Sequence, residues 1–150
     1  MEKGEKCPLF SLQNQDNKTI NIADFIGKQN LVIYFYPKDN TKVCTAEACE
    51  FRDRMNDFAK LDSVVFGISS DSVSSHKKFA DENKITFDIL ADTDKSVRKL
   101  FGIKANLFGL VPGRETFVID KNGIIQGVFN SLTKSKAHID FAREILKDLL

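Results

Sequence analysis

The chain has 150 residues, 42% of them hydrophobic and 29% charged, with a formal net charge of +1. This length fits a single domain over residues 1–150 with a sizeable core, and the interleaved Lys, Arg, Asp and Glu leave no phosphate-tracking stripe or membrane-binding face, so neither nucleic acid nor membrane is an expected partner. No apolar run nears the roughly 20 residues of a membrane span, the charged start Met1-Glu-Lys-Gly-Glu-Lys-Cys7 lacks a signal-peptide core, and three cysteines are too few for a secreted disulfide scaffold, which together predict a reducing, cytoplasmic setting.

Two short extended pieces, Phe10 to Gln13 and Thr19 to Asn21, flank the polar turn Asn14-Gln-Asp-Asn-Lys18. Leu31 to Tyr36 is a near-continuous apolar run, the pattern of a strand covered on both faces. From Thr41 to about Leu61, apolar residues at Ala48, Phe51, Met55, Phe58 and Ala59 recur at three- and four-residue steps and predict a helix. Val64 to Ser69 reads as a second buried strand, and Asp71 or Ser72 as the cap of a helix reaching about Asn83. A strand from Phe87 to Leu90 and a helical segment near Ser96 to Phe101 follow. Strands at Thr116 to Asp120 and Ile124 to Phe129 flank Lys121-Asn-Gly123, a strong hairpin signal. The last helix is predicted from near His138, with Ile139, Ala142, Ile145, Leu146 and Leu149 on one face. This order predicts an α/β thioredoxin fold: a central mixed sheet flanked by helices, with an N-terminal strand extension. An all-parallel flavodoxin-like sheet competes, but it disagrees with the terminal hairpin.

The chemistry concentrates at Cys44 and Cys49, five residues apart at the start of the first predicted helix. A cysteine in the first turn lies near the positive end of the helix dipole, which favours thiolate over thiol. Five helical residues rise about 7.5 Å and rotate about 140°, a Cα separation of about 8.7 Å. A disulfide wants roughly 4.4–6.8 Å, so the two can join only if the helix melts locally. An ordinary thiol is only about 3% ionised at pH 7, so a fixed cation is wanted as well. Arg114, just before the strand Thr116 to Asp120, is the best placed by topology, ahead of Arg52, Arg54 and Arg98. Thr41, the unpaired N–H groups of Val43 and Cys44, and Arg114 would form a preset hole for developing negative charge. Pro37 ends the preceding strand and can shield the sulfur from water.

The stretch Tyr34-Phe-Tyr-Pro37-x-x-x-Thr41-x-x-Cys44-Thr-x-Glu47-Ala-Cys49-x-Phe51-Arg52-Asp53 resembles the signature of the Q-type peroxiredoxins, also called bacterioferritin comigratory proteins. Gly4-x-x-x-Pro8-x-Phe10, Ser70-Asp71-Ser72 before Ser75-His76-Lys-Lys-Phe79, and Arg114-Glu-Thr116-Phe117-x-Ile119-Asp120 extend the resemblance over nearly the whole chain. It implies that Cys44 is the peroxidatic thiolate and Cys49 the resolving thiol of an intrachain disulfide. It further implies that Thr41 and Arg114 activate the peroxide, Pro37 closes the pocket and Glu47 orients the arginine. The implied partners are a hydroperoxide and thioredoxin or a related dithiol protein; no cofactor or metal is implied, and the expected state is a monomer. The chain departs from the family pattern at Lys42-Val43, where Pro-Gly is usual, at Cys7, where alanine is common, and in a short loop between Gly102 and Arg114.

Blander readings apply elsewhere. Cys7 reads as structural, and His76 and His138 as exposed helix residues. Gly102, Gly109 and Gly113 form no phosphate loop. Two rival functions share the cysteine pair. A thiol–disulfide oxidoreductase fits the fold but lacks its C-x-x-C, and a redox-responsive binding protein would use helix melting as a signal.

Overall fold

The computed structural model describes residues 1–103 and 113–150. Gly109 and most of the short loop expected between Gly102 and Arg114 lie outside the described residues. In chain order the strands are β1 (Ser11–Gln13), β2 (Thr19–Asn21), β3 (Asn30–Phe35), β4 (Ser63–Ser69), β5 (Asp88–Ala91), β6 (Glu115–Ile119) and β7 (Ile125–Asn130). The helices are α1 (Lys42–Asp53), α2 (Met55–Lys60), α3 (Val73–Asn83), α4 (Ser96–Leu100) and α5 (Ser135–Asp148).

The strands form one mixed sheet in the order β2-β1-β5-β4-β3-β6-β7. β3, β4 and β5 run parallel, β6 is antiparallel to β3 and β7 antiparallel to β6, and β1 joins the far edge antiparallel to β5. This is the thioredoxin fold, and its antiparallel pair removes the flavodoxin-like alternative. The N-terminal hairpin extends the sheet along β5, an edge that local pattern could not specify.

All six residues of β3 are buried, as its unbroken apolar run requires, and the pleat divides them between two cores. Val32 and Tyr34 face a layer with Phe51, Phe58, Phe79, Ile139 and Leu146 from the helices. Leu31, Ile33 and Phe35 face the other layer, with Phe66, Phe101 and Phe117. Tyr34 stacks on Phe51 at 4.5 Å between ring centroids, fixing α1 against the sheet.

The boundaries show where local pattern yields to packing. The helix predicted as continuous from Thr41 to Leu61 is two helices, broken at Arg54, whose N–H turns back to the Phe51 and Arg52 carbonyls. Ser72, not Asp71, caps α3, accepting from the Ser75 N–H. α3 ends on Lys84 in the left-handed region at φ 53°, a conformation that no glycine announces. α5 begins at Ser135, three residues before His138. The turn between β6 and β7 is as predicted, with Gly123 at φ 79° and Asp120 accepting from the Asn122 and Ile124 N–H groups.

Candidate active site

The register between β3 and β6 builds the site. Phe35 pairs with Glu115, so Arg114, one residue before that pair, arrives at the carboxyl end of β3, where the chain turns through Pro37 towards α1. Cys44 stands in the first turn of α1 and is 1% exposed; Arg114 is 2% exposed and Glu47 fully buried. The Arg114 Nη2 donates to the Cys44 Sγ at 2.8 Å and its Nη1 to the Glu47 Oε1 at 2.5 Å. Its Nε donates to the Leu132 carbonyl at 2.9 Å. A guanidinium carries five N–H donors, so two remain beyond these bonds to the described residues. The Arg114 charge is retained: burial opposes it, but Glu47 and Cys44 more than offset that and hold its pKa above the ordinary arginine value.

Thr41 is the N-cap of α1, but its side chain makes no capping bond. Its hydroxyl donates to the Lys38 carbonyl at 3.1 Å, so what it presents to an incoming hydroperoxide is lone pairs, an acceptor instead of the donor the sequence suggested. The start of α1 therefore carries first-turn N–H groups with no side-chain acceptor, beside a sulfur and a guanidinium. A cavity of about 300 Å³ opens over these groups, lined by Pro37, Thr41, Lys42, Val43, Arg114, Leu132 and Thr133. The geometry holds a buried sulfur against a guanidinium that lines an apolar cleft, a place where a small oxidant can be attacked away from bulk water.

Cys49 lies one helical turn and a half beyond Cys44 within the intact α1, half-buried, and all three cysteines are free. Cys7 is buried, donates to the Pro8 carbonyl at 3.3 Å, and burial pushes its thiol up to about 12, the inert structural cysteine expected from the sequence.

Two histidines correct the sequence reading: His76 and His138 are both fully buried. Periodicity carried the signal, since His76 shares a face of α3 with Phe79 and Ala80, and His138 a face of α5 with Ala142. The His138 Nε2–H donates to the Ser131 carbonyl at 2.7 Å, while Nδ1 accepts from the Thr116 hydroxyl at 2.7 Å. Burial, with the Arg114 charge acting the same way, holds its pKa down to about 4, so the ring is neutral. The Glu47 Oε2 lies 3.7 Å from that unprotonated Nδ1 and finds no hydrogen-bond donor among the described residues. Burial pushes the Glu47 carboxyl up to about 7, against the pull of Arg114. Arg98 was also passed over. It is 8% exposed, and its guanidinium bridges the Gly113 carbonyl at 2.9 Å and the Tyr36 carbonyl at 3.1 Å. It thereby ties the residue before Arg114 to the end of the central strand.

The thioredoxin fold and the buried cysteine–arginine pair define a thiol peroxidase. The AhpC/TSA family model matches residues 3–128. A chloroplastic peroxiredoxin Q of Populus jackii is 43% identical over 149 residues, covering 99% of this chain and 70% of that protein. The crystal structure of peroxidoxin BcpB from Mycobacterium tuberculosis superposes with a TM-score of 0.92 at 32% identity, covering 100% of this chain and 99% of that one. A Xanthomonas campestris bacterioferritin comigratory protein, whose structures concern its alkyl peroxide reduction activity, superposes with a TM-score of 0.86 at 27% identity over 97% of this chain and 99% of that one. The chain belongs to the AhpC/TSA family and, within it, to the peroxiredoxin Q branch. It is a thiol-dependent peroxidase, an oxidoreductase.

Proposed function

We propose that Cys44 is the peroxidatic residue of this enzyme, that Arg114 and Thr41 bind and activate the hydroperoxide, that Pro37 walls the pocket, and that Cys49 resolves the product within the same chain. The observation that carries this reading is the 2.8 Å bond from the Arg114 Nη2 to the Cys44 Sγ. The Cys44 thiolate attacks the distal peroxide oxygen, the O–O bond breaks, and the leaving oxygen departs as water or an alcohol after taking a proton from solvent. The two remaining Arg114 N–H donors and the N–H groups at the start of α1 face the charge that grows on that oxygen. The Cys49 sulfur then attacks the Cys44 sulfenic sulfur, forming the S–S bond and releasing water. A dithiol protein of the thioredoxin type returns both cysteines to thiols by exchange.

The apolar lining of the cleft suits organic hydroperoxides as well as hydrogen peroxide, in keeping with the alkyl peroxide activity of the Xanthomonas protein. Burial of Cys44 also disfavours the oxidoreductase reading. A sulfur 1% exposed admits a small oxidant but no protein disulfide. An intrachain disulfide needs no second subunit, so the working unit is a monomer, formed of one domain over residues 1–150. Among the described residues no helix is long and apolar enough to cross a membrane, and three free cysteines suit a reducing compartment such as the cytoplasm.

The test is to treat the reduced protein with one equivalent of hydrogen peroxide and map its disulfides without reduction. A Cys44–Cys49 link with Cys7 still alkylatable is the expected product, and Cys44→Ser should abolish peroxide consumption. Consumption at the original rate by Cys44→Ser would refute the assignment.

A further inference from the structure

The segment Ser70 to Phe79 belongs to the shared signature, yet none of its side chains touches the peroxide cleft. What it touches is Asp39, two residues before Thr41 and buried to 4% exposure in an otherwise exposed loop. The Asp39 Oδ2 accepts from the His76 Nδ1 at 2.7 Å and the Ser75 hydroxyl at 2.9 Å. Its Oδ1 accepts from the Tyr36 hydroxyl at 2.6 Å, and its own N–H donates to Asp71 at 2.8 Å. On the far side of the ring, the His76 Nε2 meets the Leu90 carbonyl at 3.1 Å, which can only accept. Both ring nitrogens therefore face protein oxygens, and His76 bridges Asp39 to the Leu90 carbonyl. Ligand atoms of Asp39, Asp71 and His76 lie within 4.8 Å of one another. The two His76 nitrogens are nevertheless spent on protein acceptors, so the cluster is a closed hydrogen-bond network and not a metal cradle.

Position gives this network a consequence. Cys44 and Cys49 both lie inside α1, about 8.7 Å apart by helix geometry, so forming their disulfide requires the intervening turn to open. Downstream, Phe51 is clamped in its stack with Tyr34, and the Arg52 Nη1 holds the Asn83 carbonyl at 2.6 Å. Between the cysteines Arg114 holds Cys44 and Glu47, and upstream the nearest buried anchor is Asp39. From the geometry we infer that the Asp39–His76 pair is a latch that holds the start of α1 folded and so sets how readily Cys49 reaches Cys44. Asp39 and His76 are positioning residues, remote from the peroxide. The inference rests on the resolving role proposed for Cys49. Releasing the latch lets the Cys44 end of the helix move as well as the Cys49 end, and the sulfenic acid is captured sooner.

The experiment is a single turnover with one equivalent of hydrogen peroxide, quenched over time into a 1,3-diketone sulfenate trap and resolved by intact mass. His76→Leu should form the disulfide about tenfold faster than wild type, and Ser75→Ala, which removes a single bond to Asp39, about threefold faster. His76→Asn, whose amide can reproduce the Nδ1–H donor, should return to within about twofold of wild type. Both accelerated variants should also build up less sulfinic acid under excess peroxide. Ile125→Ala, in the apolar layer on the other face of the sheet, is the control for general loss of stability and should leave the rate unchanged. Should His76→Leu fail to fold, Ser75→Ala still decides the matter. Wild-type rates in His76→Leu and Ser75→Ala, or equal acceleration in Ile125→Ala, would overturn the latch. A wild-type protein that forms no Cys44–Cys49 disulfide would instead overturn the resolving role on which it rests.

Discussion

Arg114 and Cys44, 70 residues apart in the chain, meet through a 2.8 Å bond from guanidinium nitrogen to sulfur. One strand register makes the meeting possible, because the Phe35–Glu115 pair delivers the residue before β6 to the mouth of the turn into α1. The same guanidinium is held on its other edges by Glu47 and the Leu132 carbonyl, so its direction is set before any substrate arrives.

Arg114→Lys should lower the second-order rate with hydrogen peroxide about 100-fold. A lysine keeps the charge but cannot donate to the sulfur, to Glu47 and to the peroxide together. Arg114→Met should in addition destabilise the fold by about 3 kcal/mol near pH 8, because Glu47 loses the guanidinium that offsets its burial. Competition kinetics against a reference peroxidase and urea unfolding would measure the two effects. A lysine variant with native rates would show that the fork geometry is irrelevant.

Thr41 tests the acceptor role. Thr41→Ser should keep most of the peroxide reactivity, whereas Thr41→Val should lose about tenfold, the loss of one substrate hydrogen bond of about 1 kcal/mol or more. Since the hydroxyl donates to the Lys38 carbonyl, Thr41→Val also leaves that carbonyl to solvent, which costs little at an exposed position. Equal rates for the two variants would remove Thr41 from substrate binding.

Arg98→Gln should leave the Tyr36 and Gly113 carbonyls poorly satisfied and destabilise the fold by about 1–3 kcal/mol. Loosening the residue before Arg114 should also slow peroxide attack several-fold, with Arg98→Lys intermediate. The check is denaturant unfolding beside stopped-flow kinetics. A variant that lost stability but reacted at the native rate would show that Arg98 serves the fold alone.

The Glu47–His138 pair makes a prediction about pH. Glu47 has its folded pKa raised from 4.5 to about 7, so its contribution to stability is full below 4.5 and is lost as the pH rises through 7. His138 has its folded pKa lowered from 6.5 to about 4, so its contribution is full above 6.5 and is lost as the pH falls through 4. The two slopes oppose each other across the same range and largely cancel in the native protein. Glu47→Gln should unmask the histidine, with stability rising by about 3 kcal/mol from pH 4 to 6.5. His138→Gln should unmask the glutamate, with stability falling by a similar amount from pH 4.5 to 7. Urea unfolding at intervals of half a pH unit would test both, and parallel profiles for the two variants would contradict the opposed titrations.

Much of this architecture was legible because it is local. The unbroken apolar run of β3, the Asn-Gly turn before β7 and the three- and four-residue steps of α1 and α5 follow from backbone geometry and burial. Element ends were less legible. The break at Arg54 and the left-handed Lys84 answer to packing of Phe58 and to the return of the chain into the sheet, and no residue type signals either. His76 and His138 were misread because an ionisable side chain was assigned to water by its type, although helical spacing placed both on apolar faces. Their burial is sustained by partners distant in sequence, Asp39 and Leu90 for one, Thr116 and Ser131 for the other.

The amino-acid order alone determined that a cysteine would open a helix behind a buried strand, with a second cysteine beyond bonding reach, because helix rise and dipole are properties of consecutive residues. Only the folded sheet decided that Arg114 bonds that sulfur and Glu47 at once, that Glu47 would be buried beside a neutral histidine, and that Asp39 would be pinned by His76. Those outcomes depend on register and burial between distant segments, and on the desolvation that burial imposes on each charge.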